Sequence, residues 1–134
     1  MDVEEVIRII IDCAVEVRRL LKQGFLENLY KNAMFLEMRS RGLDVQTEVP
    51  YDVRYKGEVI GIYHSDLVVN DCVILELKAN QALVPANEVQ LVNYLNAANI
   101  ENGLLINFGG ERLEIKRKYR TYRPSSFNNI YTQK

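Results

Sequence analysis

His64-Ser65-Asp66-Leu67-Val68-Val69-Asn70-Asp71-Cys72-Val73-Ile74-Leu75-Glu76-Leu77-Lys78 reads as two apolar strands joined by a short polar turn. Asp66, Glu76 and Lys78 sit inside runs that are otherwise apolar enough to be buried. Strand side chains alternate faces, so Glu76 and Lys78, two apart, point the same way. Whether Asp66 joins them depends on the loop. A two-residue loop pairs Val69 with Cys72 and sends Asp66 and Glu76 to opposite faces. A three-residue loop, Asn70 to Cys72, pairs Val69 with Val73 and sets Asp66 across from Glu76. The odd loop, or an equivalent bulge, is expected, because only then do two carboxylates and an ammonium share one pocket.

Two neighbouring carboxylates repel, and burying them without a counter-ion is costly. A hard divalent cation resolves this, and Mg²⁺ commonly takes one or two carboxylates and keeps several waters. A lysine beside it can orient or deprotonate a water, or steady charge growing on a phosphoryl group. The constellation therefore suits metal-assisted phosphodiester hydrolysis. The plainer alternative puts Glu76 and Lys78 on an exposed sheet face, with Asp66 ending a strand; the flanking apolar residues and the third acid at a matching register weigh against it.

The 134 residues suit one domain with a proper core. No apolar run reaches bilayer length, and Met1-Asp2-Val3-Glu4-Glu5 lacks the basic start of a secretory signal. Cys13 and Cys72 are expected as free thiols in a reducing cytoplasm. Net charge is −1, which argues against a general nucleic-acid coat protein. Its distribution is uneven: residues 61–110 carry −4 and residues 111–134 carry +5. An acidic centre beside a basic flank fits a metal site with a phosphate-gripping border, and equally fits a solvated tail.

Around the hairpin, residues 3–22 predict a helix with Val3, Ile7, Ile10, Ala14, Val17 and Leu21 in an apolar stripe. A second helix is expected from about Phe25 to Arg41, lined by Phe25, Leu29, Ala33 and Leu36, with Leu26, Tyr30 and Met34 beside them. Glu27 lies in its first turn. It is either a dipole-favoured acid with Lys31 as its i+4 partner or a contributor to the acidic pocket, and sequence leaves the two even. Residues 45–56 read as a strand with Pro50 at an edge or irregularity, and Lys56-Gly57 turns into a long strand, Glu58 to Val69. Pairing Tyr55 with Glu58 sets Val53 opposite Ile60 and Val49 opposite His64, and brings His64 near Lys78. Ile60, Ile62, Val68 and Ile74 are expected on one face; Val59, Tyr63, Leu67, Val73, Leu75 and Leu77 on the other, both covered by helices. His64 is left outside the catalytic set.

Pro85 opens a helix through about Ala98, with Val89, Val92 and Leu95 on its buried side and Gln90 and Tyr94 neighbours at i and i+4. Gly103 to Phe108 predicts a buried parallel strand, Gly109-Gly110 a break, and Arg112 to Tyr119 an edge strand. Residues 1–118 form the domain, and 119–134 a basic, aromatic extension.

These residues resemble the PD-(D/E)XK nuclease superfamily, and in particular its GxxExxY protein family. Gly24-Phe25-Leu26-Glu27-Asn28-Leu29-Tyr30 matches the name-giving motif. Ser65-Asp66-Leu67 and Glu76-Leu77-Lys78 match the two metal-binding strands. Gln90 and Tyr94 look like the Gln-x-x-x-Tyr feature of RecB-type exonucleases. The resemblance implies a restriction-endonuclease-like α/β core, a mixed central sheet of four to five strands flanked by helices on both faces. It implies that Asp66, Glu76, the Leu77 carbonyl and Glu27 bind Mg²⁺ or Mn²⁺. Lys78 would position the nucleophilic water, and Gln90 and Tyr94 would orient Lys78 or the phosphate. The expected function is a divalent-metal-dependent nuclease, with DNA preferred to RNA as partner. The alternative is a catalytically silent nucleic-acid-binding or assembly module of the same fold. A third reading is a core holding a buried Lys–Glu pair and no ligand, a weak stability device. With no recognition domain, selection of ends or DNA structure is expected, and a homodimer is one route to it.

Overall fold

The computed structural model describes residues 1–121 and the backbone of 130–132. Helix α1 (Val3–Leu21) is capped by Asp2, whose carboxylate accepts the Glu5 N–H at 2.9 Å. It buries Val6, Ile7, Ile10, Cys13, Ala14 and Val17. Helix α2 (Glu27–Ser40) follows, and its buried row is Tyr30, Met34 and Met38, one residue per turn. Phe25, Leu26, Leu29 and Leu36 are exposed, so the row anticipated along Phe25, Leu29 and Leu36 is displaced around the axis. Tyr30 fixes that rotation: its ring stacks on Phe108 at 4.7 Å between centroids, and its hydroxyl donates to the Lys22 carbonyl at 2.6 Å.

Strands β1 (Val45–Tyr55), β2 (Glu58–Val69) and β3 (Val73–Lys78) form an antiparallel meander, and α3 (Pro85–Ala98) crosses over to β4 (Asn102–Asn107), parallel to β3. β5 (Glu114–Tyr119) pairs antiparallel with β4. A short β6 (Ile130–Thr132) pairs with β5, completing a mixed six-stranded sheet in chain order, one strand beyond the four to five expected. β5 is therefore not an edge. Residues 130–132 of the anticipated extension join the sheet, while 122–129 and 133–134 lie outside the described residues.

The α1–α2 side carries the larger apolar cluster, including Leu67, Val69, Leu75, Leu77, Leu104 and Ile106 from the sheet. The α3 side is smaller: Tyr63, Val68, Ile74, Leu91, Leu95 and Leu105. In α3 the buried pair is Leu91 and Leu95, while Val89 is exposed. Helices thus cover both faces.

The turn at Lys56 and Gly57, both at positive φ, is the two-residue type that suits strand twist. Two irregularities follow. The register slips between Val53 and Arg54, so Val53 opposes Gly61 and Val49 opposes Ser65, one residue off the pairing read from the turn. Farther on, the ladder skips Glu48, which sits at φ 53°. Tyr63 packs on the α3 side and Leu67 on the α1 side, although four residues apart they would share a face of a regular strand. Ile60 and Ile62, expected in the core, lie near the turn end of the β1–β2 hairpin and are exposed.

Candidate active site

The β2–β3 loop has three residues. Asn70 and Asp71 both take left-handed backbone, the Cys72 N–H donates to the Val69 carbonyl at 3.0 Å, and Val69 opposes Val73. The Asn70 side chain accepts the Asp44 N–H at 2.8 Å, and the Asp44 carbonyl accepts the Asn70 N–H at 2.8 Å, which ties the loop to the start of β1. The paired ladder ends at Leu67 and Leu75. Beyond it the two acids take over as acceptors. Asp66 Oδ2 accepts the Leu77 N–H at 2.9 Å, and Glu76 Oε2 accepts the Asp66 N–H at 3.2 Å. The strands are bridged here by carboxylates reaching across in both directions.

Glu76 Oε2 also accepts the Tyr63 hydroxyl. Tyr63 in turn lies flat against Tyr94 of α3, ring centroids 3.6 Å apart and planes within 9°. Tyr51 of β1 stacks on the Tyr63 ring at 6.1 Å. A tyrosine column therefore connects β1, β2 and α3 and ends on the Glu76 carboxylate. Tyr63 is the residue that sequence reasoning missed. Regular alternation assigned it to the opposite face, and only the backbone irregularity between it and Leu67 brings it here.

Lys78 ends β3, opposite Asn107, and its carbonyl accepts the Phe108 N–H at 2.9 Å. The segment after it is clamped. The buried Asn107 side chain accepts the Asn80 N–H at 3.0 Å and donates to the Asn80 carbonyl at 3.0 Å. Gly109 lies so close that a Cβ there would come within 2.3 Å of the Ala79 carbonyl carbon. Gly109, read from sequence as a strand breaker, is required by this close approach.

Glu27 stands at the first turn of α2, and its carboxyl interacts electrostatically with Asp66 and Lys78. Lys31, considered as its i+4 partner, instead pairs with Glu48 of β1. Burial raises the Glu27 pKa first, the Asp66 charge adds to this, and Lys78 and Lys31 oppose it. Asp66 is raised chiefly by burial, against the Leu77 N–H that favours its charged form. Glu76 is pushed up to about 7 by burial and then by Asp66; the Tyr63 hydroxyl, the Asp66 N–H and Lys78 act against the shift. Tyr94 is raised by burial and by the charges of Glu76 and Asp66. Asp66, Glu76, Lys78, Glu27 and Tyr94 thus share one electrostatic neighbourhood.

Among the described residues, Asp66 Oδ1 and Glu76 Oε1 carry no hydrogen bond, so each acid keeps one hard oxygen for a cation. The donor chemistry fits a divalent ion, and raised carboxyl pKa values are what such an ion would relieve. Among the described residues, no three His, Cys, Asp or Glu side chains lie close enough to form a ready-made metal cluster. Gln90 is exposed on α3, one turn before Tyr94, and its side chain makes no hydrogen bond among the described residues. His64 is exposed and lines the same cavity as Glu76 and Tyr94. The basic border is largely internal: Lys116 and Lys118 bind Glu88 at 2.9 and 3.3 Å, and Arg117 binds Glu4 at 2.7 Å. Both cysteines are free, and burial raises the Cys13 thiol to about 11. No helix among the described residues is long and apolar enough to cross a membrane.

Among solved structures, the crystal structure of a protein designated SSO0001 aligns with a TM-score of 0.56 at 15% identity. The alignment covers 74% of this chain and 52% of that one, so the chain spans about half of that protein's length. At this identity the likeness concerns the fold. No curated protein matches. The sequence profile of the PD-(D/E)XK nucleases matches residues 4–118, from the first helix through the fifth strand and across every residue of the carboxylate–lysine cluster. The chain belongs to the PD-(D/E)XK nuclease superfamily.

Proposed function

We propose that this protein is a divalent-metal-dependent nuclease that hydrolyses phosphodiester bonds, with DNA as its substrate, acting in the cytoplasm. The supporting observation is the opened end of the β2–β3 hairpin. There Asp66 and Glu76 reach across to each other's strand, keep one oxygen each uncommitted among the described residues, and share their field with Lys78. Asp66, Glu76, the Leu77 carbonyl and Glu27 would hold Mg²⁺ or Mn²⁺. When bound, the ion supplies Lewis acidity and neutralises charge on the phosphate. Lys78 makes no ion pair within 4 Å among the described residues, which leaves its ammonium to orient the attacking water and hold the developing charge. Tyr94, stacked on the tyrosine that grips Glu76, positions that carboxylate; Gln90, one turn away, would reach the phosphate from the rim. Membership of the GxxExxY group is part of this reading. In it, Glu27 serves the pocket, while Tyr30 holds the turn that presents it.

The test incubates the protein with end-labelled single- and double-stranded DNA and RNA in Mg²⁺, Mn²⁺ or EDTA. Metal-dependent cutting that disappears in Lys78→Ala and Asp66→Ala supports the reading. Cutting that survives both changes, or none in any metal, overturns it. Isothermal titration of Mn²⁺ adds a readout independent of turnover, with binding expected to be lost in Asp66→Ala.

A further inference from the structure

Glu48 lies at a fault in the sheet. Between the pairs Thr47–Leu67 and Val49–Ser65, the β1–β2 ladder leaves out Glu48 and Asp66, which occupy opposite positions in the break. Glu48 takes left-handed backbone there, φ 53°, which is uncommon for a long side chain in mid-strand and costs free energy. Its carboxylate pairs with the ammonium of Lys31 on α2. Lys31 stands one turn beyond Glu27, at i+4 on the same side of the helix. Its side chain is only 16% exposed, and its charge acts on both Asp66 and Glu27. Two ammoniums therefore border these acids, Lys78 from β3 and Lys31 from α2, and Lys31 is tied to a carboxylate outside the proposed metal set.

We infer that Lys31 is a resident counter-cation of the carboxylate cluster and that Glu48 is its tether, the pair setting how tightly the cluster holds a divalent ion. The inference rests on the nuclease reading, which makes Asp66, Glu76 and Glu27 the ion's ligands. An ammonium whose field reaches those ligands opposes a second cation among them. Pairing with Glu48 neutralises part of that opposition and fixes the ammonium in place. Released, Lys31 can turn to Glu27, its neighbour on the helix, or to Asp66, and compete for the oxygens the ion needs. Lys31 and Glu48 thus act on the ion in opposite directions, and Glu48 acts through Lys31. Both are positioning residues, set beside the reacting groups.

The experiment is calorimetric titration of Mn²⁺ into the full chain without nucleic acid, so that turnover plays no part. Lys31→Gln should tighten binding about fivefold, while Lys31→Arg, which keeps the charge, should leave it within about twofold. Glu48→Gln should weaken binding about fivefold, and that loss should shrink below about twofold when residue 31 is already changed to Gln. Raising the ionic strength should narrow the gap between the parent and Lys31→Gln. Should Lys31→Gln fail to fold, Lys31→Met, which keeps the apolar stem, carries the same expectation. Unchanged Mn²⁺ affinity in the neutral Lys31 variant, with only the melting temperature lowered, would reduce the pair to a tie between α2 and β1 and overturn the inference. Equal weakening by Glu48→Gln in both backgrounds would make Glu48 a ligand in its own right and overturn it too. In either case, Mn²⁺ binding that is lost in Asp66→Ala leaves the nuclease reading standing. Mn²⁺ that does not bind the parent, or binds Asp66→Ala equally well, removes the ion site and both readings with it.

Discussion

The two faces of the sheet are built to different standards. Under α1 and α2, the buried cluster is aliphatic and aromatic, and the Tyr30 hydroxyl and Arg18 guanidinium brought in beside it are both bonded to backbone carbonyls. Under α3, five buried aliphatic residues share the face with stacked tyrosines, one of them bonded to Glu76, and with the Glu88–lysine pairs. Charged side chains packed directly on the helix are a feature of this second face, where Glu88 of α3 pairs with Lys116 and Lys118 of β5. The difference separates labour: one face holds most of the buried apolar contact, and the other accommodates polar and charged groups beside a smaller core.

That separation can be broken from either side. Lys78→Ala or Asp66→Ala should lower cleavage by about a thousandfold or more while leaving the melting temperature within a few degrees, as measured by initial rates and calorimetry. Leu75→Ala, on the closed face, should cost about 2–5 kcal/mol in denaturant titration, with activity per folded molecule retained. A Lys78→Ala chain that fails to fold, or a Leu75→Ala chain that folds fully but is dead, would erase the distinction.

The pH dependence of stability sharpens it. Glu76 has a pKa raised from 4.5 to about 7 in the folded protein. The native state therefore holds this proton more tightly than the unfolded chain does. Its contribution is fully present below about pH 4.5, declines as pH rises through 7, and is gone above that. The ceiling is about 3 kcal/mol. Glu76→Gln should flatten the decline, and Mg²⁺ should raise the melting temperature more at pH 8 than at pH 5.5; equal shifts at both would refute the assignment. Smallest is Tyr63→Phe, which removes the hydroxyl from Glu76 and should cost about 1 kcal/mol above pH 7, where Glu76 is charged and the bond is strongest, and less at acid pH. It should lower kcat by about tenfold with little change in KM, as a residue positioning the carboxylate would.

Much of this was legible in the sequence, for identifiable reasons. The loop parity of Asn70 to Cys72 followed from the side-chain period of a strand, and helix and strand bounds followed from caps and turns such as Pro85 and Lys56-Gly57. What escaped was whatever broke the period. The slip at Val53 and the left-handed Glu48 carry no local sequence signal, so Tyr63 was read on the wrong face and the Lys31–Glu48 pair was missed. In α2, apolar residues surround the axis, and a broad stripe does not say which row turns inward until Tyr30 finds Phe108. The +5 segment left two readings open, because composition cannot see that Lys116, Arg117 and Lys118 pair with Glu88 and Glu4.

The three-residue loop at Asn70 to Cys72 also makes the site vulnerable to arithmetic. Loss or gain of a single residue there would rotate one strand's side chains by half a turn relative to the other, while apolar residues on both faces kept a sheet of similar hydrophobicity. Such a descendant would retain every letter of the motif yet present its acids to opposite sides. The meeting of the two acids therefore depends on an even-or-odd count as well as on the identity of the charged residues.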